Sequence, residues 1–341
     1  MLSRVAESIY WLNRYIERAE NVARFLEVNL NLILDLPRRV QQQWQPLVAT
    51  TGDSEYFAQH YGEASAEKVI QFLAFDRNYP NSLISCLQRA RENAQSVREV
   101  ISTEMWQQVN SFYLLIANTA ADLTLADLNK FLEEVKQASH LFAGVMDATI
   151  SHNEGWHFGQ VGRLLERADK TSRILDVKYF MLLPSLEDVG TPIDELGWIA
   201  LLKSTSAYEM YRKRSNRHLI TPAEVAEFLI LDPDFPRSIR FCLSQVERSL
   251  HLITGTPPGA WRNPAERSIG RLRSELEYLT VEEIIERGIH QFLDRLQQEI
   301  NQLDQEIFTT FLDLRSVVYQ SSQTQTQIPI QTQTQSQSTL T

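Results

Sequence analysis

Residues 14–28 read RYIERAENVARFLEV and residues 163–177 read RLLERADKTSRILDV, a close match between stretches that lie 149 residues apart. In the first stretch, apolar residues such as Ile16, Ala19 and Ala23 recur at steps of three and four, which is the spacing of one face of an α-helix. The second stretch repeats this spacing. The match therefore predicts two related helices and a duplicated unit around them.

The similarity between the two parts of the chain continues in the same order. WQPLVATT from Trp44 is echoed by WIALLKST from Trp198, and VIQFLAFDRNYPNSLISCL from Val69 is echoed by VAEFLILDPDFPRSIRFCL from Val225. The offset grows only from 149 to 156 residues along these blocks. A preserved order with a slowly growing offset indicates tandem duplication rather than chance.

The duplication sets the predicted fold class and domain boundaries. We predict an all-α protein in which two tandem copies of a helical-bundle unit, residues 1–150 and 151–315, pack together. The Gln/Thr/Ser-rich residues 320–341 have few apolar side chains to bury and are predicted to be disordered. Further helices are predicted around 64–75, 81–118, 124–150, 194–213, 222–230, 236–253 and 265–315, with a loop at 255–264. We predict that Ser3 caps the first of the two related helices and that a capping box of Ser151 and Glu154 begins the second. Pro37 and Pro184 lie where these helices should end.

The composition excludes several classes of function. The chain has 341 residues, 43% of them hydrophobic, and a formal charge of −10. Its Lys and Arg residues are scattered among acids, so no basic stripe would bind a nucleic-acid backbone. No stretch approaches about 18 uncharged apolar residues, and charges interrupt the N-terminal run, so we predict a cytoplasmic protein without a membrane span. The two cysteines, Cys86 and Cys242, are predicted to be buried thiols.

A charged stripe runs along the first helix, nearly opposite its apolar ridge. Arg14, Glu17, Asn21 and Arg24 form this stripe, and Phe25 borders it. A helix that is apolar almost all round is usually buried, and buried Arg and Glu must be paired. Three interpretations follow: a structural ion-pair network between the copies, an anion-binding pocket lined by arginines, or a catalytic carboxylate site. An arginine fork suits a carboxylate or phosphate, whereas a glutamate beside arginines has a lowered pKa and is a poor general acid.

The candidate site residues come mainly from this stripe and its repeat. The predicted substrate- or partner-binding residues are Arg14, Arg18, Glu20, Arg24, Arg163, Arg167, Asp169 and Arg173. The catalytic candidates are Glu17, Glu166 and Glu104, the last from the cluster RARENAQSVREVISTEMW. The sequence has no phosphate-binding glycine loop and no GxSxG elbow, and we predict no cofactor. Glu154-x-x-His157 occurs once, whereas a di-metal bundle needs this motif on two helices, so no metal site is predicted.

Three motifs, MLSRVAESIYWLNRYIERAENVAR, ARENAQSVREVISTEMW and WHFGQVGRLLERADKTSRILD, closely resemble the bacterial alpha-E domain family. The resemblance covers about residues 1–315. One departure is Asn13, which stands where the family's glycine is expected, while Gly162 holds that place in the second copy. We expect this change to loosen the packing of the first helix slightly.

The resemblance implies a functional context. Alpha-E proteins are typically encoded beside, or fused to, circularly permuted ATP-grasp proteins, and often near transglutaminase-like proteases. ATP-grasp enzymes form amide bonds through acyl phosphates. We therefore expect a helical partner subunit of an ATP-grasp amide-ligase system, whose Arg/Glu clusters bind the partner or a carboxylate-bearing peptide. The alternatives are a stand-alone enzyme, with glutamate acid/base and arginine anion-binding groups, and a non-catalytic helical scaffold.

Overall fold

The described part of the chain is helical and contains no β-strand. The computed structural model describes residues 1–35, 44–119, 123–181, 192–214 and 220–313. The helices before residue 150 are α1 Ser3–Asp35, α2 Gln45–Thr51, α3 Ser54–Tyr61, α4 Ala66–Ile70, α5 Leu83–Ser96, α6 Thr103–Ala117 and α7 Leu125–Thr149. The later helices are α8 Glu154–Met181, α9 Pro192–Ser204, α10 Tyr208–Arg214, α11 Pro222–Leu231, α12 Ile239–Thr254, α13 Pro264–Tyr278, α14 Val281–Arg287 and α15 Ile289–Ile307. Two π-helical turns, Gln71–Phe75 and Phe308–Leu312, complete the secondary structure.

Helices α1 and α8 lie side by side and parallel at the centre of the molecule. Their register is set by contacts in step along both helices, from the Met1 amino group on Glu154 to Arg18 on Glu166. Helices α5 and α7 pack on α1, and α12 and α15 pack on α8 in the same way. Two shorter helices cross between the halves, since α2 packs on α8 and α9 packs on α1. The two sequence-related parts thus have corresponding packing, while their origin by duplication remains a prediction.

Each half has its own hydrophobic core. One cluster of buried side chains runs from Ile9 to Met146, and the other from Phe158 to Leu312. Helix α1 contributes to both, because its Tyr10 and Phe25 belong to the second cluster. An apolar face on each side of α1 leaves only a narrow strip for its charged residues. That strip faces α8, so the charges are held inside the molecule.

Small residues on α8 permit the close approach of the two central helices. A Cβ on Gly162 would overlap the backbone carbonyl of Tyr10, and a Cβ on Gly159 would come within 2.7 Å of the Asn13 amide nitrogen. Asn13, noted above as a departure from the family's glycine, therefore packs on a glycine of the opposite helix. The contact at Gly162 is with backbone, so glycine at this α8 position lets the two helices approach closely and the charged side chains beyond it meet.

Several predicted helix boundaries were wrong. The helix predicted over 81–118 is two helices, because the chain turns at 97–102 and the Ser102 hydroxyl caps α6 by accepting from the Met105 N–H. Range 194–213 is likewise two helices and 265–315 is three, while α2 and α3 were not predicted. Asn153, rather than Ser151, supplies the side-chain oxygen that caps α8, by accepting from the Gly155 N–H. Pro37, Pro184 and the tail 320–341 lie outside the described residues.

Candidate functional site

Two reciprocal ion pairs join α1 to α8. The Arg18 guanidinium donates to both Glu166 oxygens, from Nε at 2.7 Å and Nη2 at 2.9 Å. Arg167 does the same to Glu17, from Nε at 2.8 Å and Nη2 at 2.7 Å. Glu17 is 2% exposed and Glu166 is fully buried. Because both pairs are bidentate and desolvated, they fix the register of the two helices.

The second carboxylate of each stripe is also paired, but with different cations. Glu20 accepts from Arg24 on its own helix, and Asp169 accepts from the Arg173 Nε at 2.9 Å. Arg237, which precedes α12, donates hydrogen bonds to Glu20 and Glu17. The corresponding residue of the first half is Asn81. Conversely Lys170 contacts Asp169 at 3.1 Å, where the first half has Asn21. Each half thus adds one further cation beside its two carboxylates, but from a different place in the chain: Arg237 beside Glu17 and Glu20, and Lys170 beside Glu166 and Asp169.

The outer arginines of the two stripes differ in their partners. Arg14 donates from Nε to Glu166 at 2.9 Å and from Nη1 to Asp304 at 2.6 Å. Its counterpart Arg163 has no carboxylate partner within the described residues, and its Nη2 donates to Gln160 at 2.6 Å. The buried residues of α7 and α15 match at a spacing of 161, as in Phe131 and Phe292, which places Ala143 where the other half has Asp304. At the place where Asp304 pairs with Arg14, the other half therefore has only the methyl group of Ala143, and Asp147 of α7 makes no ion pair with Arg163.

The electrostatics weigh against acid/base catalysis by the central glutamates. Burial alone would raise the pKa of Glu166, but Arg18 and Lys170 outweigh it and hold this pKa well below its usual value. Burial would likewise raise the pKa of Glu17, but Arg167 and Arg237 together lower it. A carboxylate held ionised by bidentate arginines is a weak proton donor. Glu104, the third catalytic candidate, is exposed in the first turn of α6, and the structure does not bring it to the network.

The cysteines and the single Glu-x-x-His motif have structural surroundings. Cys86 and Cys242 are free and buried, and burial raises their thiol pKa values to about 11 and about 12. Glu154 is paired with the N-terminal amino group, whereas His157 lies near Ser249. Among the described residues no group of three or more His, Cys, Asp and Glu side chains could hold a metal ion.

A cavity of about 640 Å³ opens beside Arg163, and we call it the Arg163 cavity. Its cationic wall comprises Arg163, Arg167 and Arg248, and its one carboxylate belongs to Asp147. The other walls are lined by His152, Trp156, His157, Gln160, Leu164, Pro236, Phe241, Gln245, Ser249 and Leu252. The cavity lies between α8 and α12 and reaches the central network through Arg167, which binds Glu17. Burial lowers the pKa of His157, which favours its neutral form.

Several hydrogen-bond donors of the Arg163 cavity lack acceptors. The Nε of Arg163 and the indole Nε1 of Trp156 are buried and have no hydrogen-bond partner in the part of the chain that the structure describes. Arg248 is exposed, and no ion pair of its guanidinium occurs within the described residues. Unsatisfied buried donors are rare and unfavourable in proteins. The exposed guanidinium of Arg248 is open to a ligand with acceptor oxygens.

A difference in side-chain size between the halves contributes to the space. Gln160 stands at the position that corresponds to Trp11, whose ring packs against the Arg14 guanidinium at 5.1 Å. A tryptophan therefore fills the first half where the shorter glutamine leaves a cavity in the second. Arg237, Arg248, Gln160 and Trp156 were not among the predicted site residues. The replacement of Asn81 by Arg237 within the repeated block was a signal in the sequence that could have identified one of them.

The fold and the site together define an all-helical protein whose two central helices bury a reciprocal Glu-Arg network beside a cationic cavity. The chain belongs to the Alpha-E family, described as a predicted alpha-helical domain with a conserved ER motif, and residues 1–312 match its model. Glu17-Arg18 and Glu166-Arg167 are the Glu-Arg dipeptides that form the reciprocal pairs. None of the helices in the described ranges is long and apolar enough to cross a bilayer.

The chain is also similar to longer mycobacterial proteins. It is 24% identical over 336 residues to an uncharacterised protein of Mycobacterium tuberculosis, and 23% identical over 336 residues to one of Mycobacterium bovis. Each match covers 92% of this chain and 36% of the relative. The chain thus spans about a third of the length of the curated relatives it matches. No solved structure has significant similarity to it.

Proposed function

We propose that this chain is the carboxylate-binding helical subunit of an ATP-grasp amide-ligase system, in which the Arg163 cavity holds a peptide with a free carboxylate. The observation that carries the proposal is the set of donors without acceptors at that cavity. Among the described residues Arg163 has no acid partner, and only its Nη2 makes a hydrogen bond there, to Gln160, while its Nε makes none. A carboxylate would give the guanidinium the bidentate partner that its neighbours Arg18 and Arg167 already have.

The size and walls of the cavity favour a peptide over a smaller acid. Ligand pockets range over about 300–1,000 Å³, and the Arg163 cavity, at about 640 Å³, lies within this range. Leu164, Phe241 and Leu252 give it apolar surface opposite the arginines. Gln160 and Gln245 add amide groups, which can pair with a peptide backbone. The ligand we propose is therefore a short peptide whose carboxylate contacts Arg163.

The ligase partner is supported by the family resemblance and by the length of the relatives. In an ATP-grasp system an amide bond forms from a carboxylate, so a carboxylate-binding subunit would hold the substrate. The matched region makes up 36% of the mycobacterial proteins. The remaining length would accommodate a second domain in the same polypeptide, in place of a separately encoded ATP-grasp partner. A transglutaminase-like protein is a further proposed partner on the same grounds.

The two alternatives have less support. A stand-alone enzyme would need Glu17 or Glu166 to exchange a proton, whereas both are buried and bound by arginine forks. A pure scaffold accounts for these reciprocal pairs, because they hold α1 against α8. It does not account for Arg163, whose guanidinium contributes no ion pair within the described residues while bordering open space.

The ligand half of the proposal can be tested by calorimetry with trialanine. We expect the free acid to bind and its C-terminal amide to bind at least about tenfold more weakly, because the amide removes a charge-assisted bidentate pair. Arg163→Gln should weaken binding of the acid to a similar extent. Gln160→Trp should abolish it by filling the cavity as Trp11 fills its counterpart. Arg77→Gln, an exposed substitution elsewhere, is the matched control.

The partner half is tested by mixing the purified chain with a circularly permuted ATP-grasp protein, the partner that the family resemblance implies. A stoichiometric complex in size-exclusion chromatography would support the proposal. Equal binding of trialanine and its amide would overturn the carboxylate site, whereas a chain that binds trialanine but no ATP-grasp protein would overturn the subunit role alone. The circular dichroism spectrum of each variant should match the wild type, which separates a lost site from a lost fold.

A further inference from the structure

A second, smaller cavity lies on the other flank of α1 and α8, and we call it the Arg173 cavity. Its volume is about 160 Å³, a quarter of that of the Arg163 cavity. Its lining comprises Arg14, Arg18, Val22, Phe25, Thr51, Asn81, Asp169, Lys170, Arg173 and Asn301. Four of these side chains are cationic and one is a carboxylate. This lining shares no residue with that of the Arg163 cavity.

The guanidinium of Arg173 is only partly used. Its Nε donates to both oxygens of Asp169 at 2.9 Å. Neither Nη group has a hydrogen-bond partner within the described residues. The side chain is 22% exposed, so its two Nη groups are accessible from the cavity. Arg14 likewise uses Nε and Nη1 for Glu166, Tyr10 and Asp304, and its Nη2 makes no hydrogen bond to the described chain.

Arg24, the arginine of α1 that corresponds to Arg173, has a hydrogen-bond acceptor that Arg173 lacks among the described residues. Arg24 donates from Nη2 to Glu20 and from Nη1 to the Ser206 hydroxyl. Ser206 corresponds to Gly52 when the blocks from Trp44 and Trp198 are aligned. Both residues have a positive φ, 52° for Ser206 and 82° for Gly52. The backbone is thus similar, but Gly52 has no hydroxyl to offer.

The empty place beside Gly52 is close to the arginine. A Cβ built on Gly52 would lie 3.2 Å from the Arg173 Nη1. A hydroxyl there would therefore meet the guanidinium, as the Ser206 hydroxyl meets Arg24. Ser206 keeps a conformation that is unfavourable for a residue with a side chain. We infer that the arginine is stabilised by an acceptor oxygen beside its Nη1, which the Ser206 hydroxyl provides for Arg24.

We propose that the Arg173 cavity binds a small oxyanion, such as inorganic phosphate, whose oxygens accept from the Nη groups of Arg173 and Arg14. The ion takes the place that the Ser206 hydroxyl holds beside Arg24. Lys170 adds positive charge, and Asp169 is already bound by Arg173 and Lys170. The small volume excludes the peptide proposed for the Arg163 cavity. This site is independent of the proposed function.

The test is calorimetric titration of the full chain with sodium phosphate in a zwitterionic buffer, with sodium chloride at equal ionic strength as the reference. We expect one phosphate site and no comparable heat with chloride. Arg173→Gln should weaken phosphate binding by about tenfold or more, since it removes charge-assisted hydrogen bonds. Gly52→Ser should weaken phosphate binding as well, because the new hydroxyl would accept the hydrogen bond of the Arg173 Nη1 in place of a phosphate oxygen. Arg77→Gln should keep the wild-type dissociation constant.

Thermal unfolding provides the second measurement. Phosphate should raise the melting temperature of the wild type and of Arg77→Gln, and at the same concentration should raise that of Arg173→Gln and Gly52→Ser by less. Phosphate binding no stronger than chloride binding would overturn the proposal. Wild-type affinity in the Arg173→Gln variant would overturn it too. Trialanine binding reports on the other cavity, so failure here leaves the proposed function standing.

Discussion

Spacing along one helix identified the charged residues of the site but only half of their pairings. Glu20 with Arg24 and Asp169 with Arg173, acid first and four apart, are pairs within a helix as the sequence indicates. The residues three apart behave differently, since Arg14 binds Glu166 rather than Glu17. Once α1 and α8 pack in register, a carboxylate on the facing helix is a better partner for an arginine fork. Local spacing carries no information about that choice.

The buried carboxylates predict how stability depends on pH. Arginines and other cations, opposing the effect of burial, lower the pKa values of Glu17, Glu20 and Glu166 below 4.5 and that of Asp169 below 3.8. The stability that these ionised groups contribute is fully present above the ordinary values and is lost as the pH falls through the folded-state values. We therefore expect the free energy of unfolding, measured with urea, to fall steeply below about pH 4.5.

A single substitution tests the origin of this slope. Glu166→Gln removes the carboxylate that binds both Arg14 and Arg18, and should make the fall in stability with acid shallower while lowering stability at pH 7. Breaking one side of a buried pair costs about 3–5 kcal/mol. Glu275→Gln, in a partly exposed pair with Arg295, is the control and should keep the wild-type slope. An unchanged slope in Glu166→Gln would contradict the assignment.

At the scale of helices, periodicity found the elements but missed the breaks between them. The range 81–118 keeps a helical pattern of apolar residues through the turn, since Val97 and Ile101 are buried there as well. The break is marked by a cap: the Ser102 hydroxyl accepts from the first turn of α6. The start of α14 carries a capping box from Thr280 to Glu283. Capping residues, which are local, would have divided both ranges that the periodicity joined.

The glycine contacts of α8 give a prediction for the central helix pair. Gly162→Ala should destabilise the protein by about 1–3 kcal/mol, because the added methyl group overlaps the Tyr10 carbonyl and forces the two helices apart. Gly144→Ala is the matched control on α7, where a Cβ would meet nothing within 4 Å. That change should stabilise by about 0.5–1 kcal/mol through helix propensity. Equal effects of the two substitutions in urea unfolding would refute a close contact at Gly162.

At the scale of the whole molecule, the sequence predicted the helical class and the charged face, and an arginine-lined pocket was one of its three interpretations, but it located neither cavity. The Arg163 cavity depends on Gln160 in place of Trp11, and the Arg173 cavity on Gly52 in place of Ser206. Each difference is visible in the sequence only after the two halves are aligned. Its consequence depends on what packs around it, which comes from helices far away in the chain. Open space is a property of several elements together, so no single stretch predicts it.

The shared network also predicts that neither half is stable alone. In an isolated fragment 1–150, the buried carboxylate of Glu17 loses Arg167 and Arg237, and the apolar side chains of Tyr10 and Phe25 become exposed. Pairing of two such fragments is disfavoured, because Asn13 would then stand where Gly162 admits the Tyr10 carbonyl. We expect fragment 1–150 to lack a cooperative thermal transition in circular dichroism, and to regain one when co-expressed with fragment 151–313. A fragment 1–150 that unfolds cooperatively as a monomer would show that the network is dispensable for the fold.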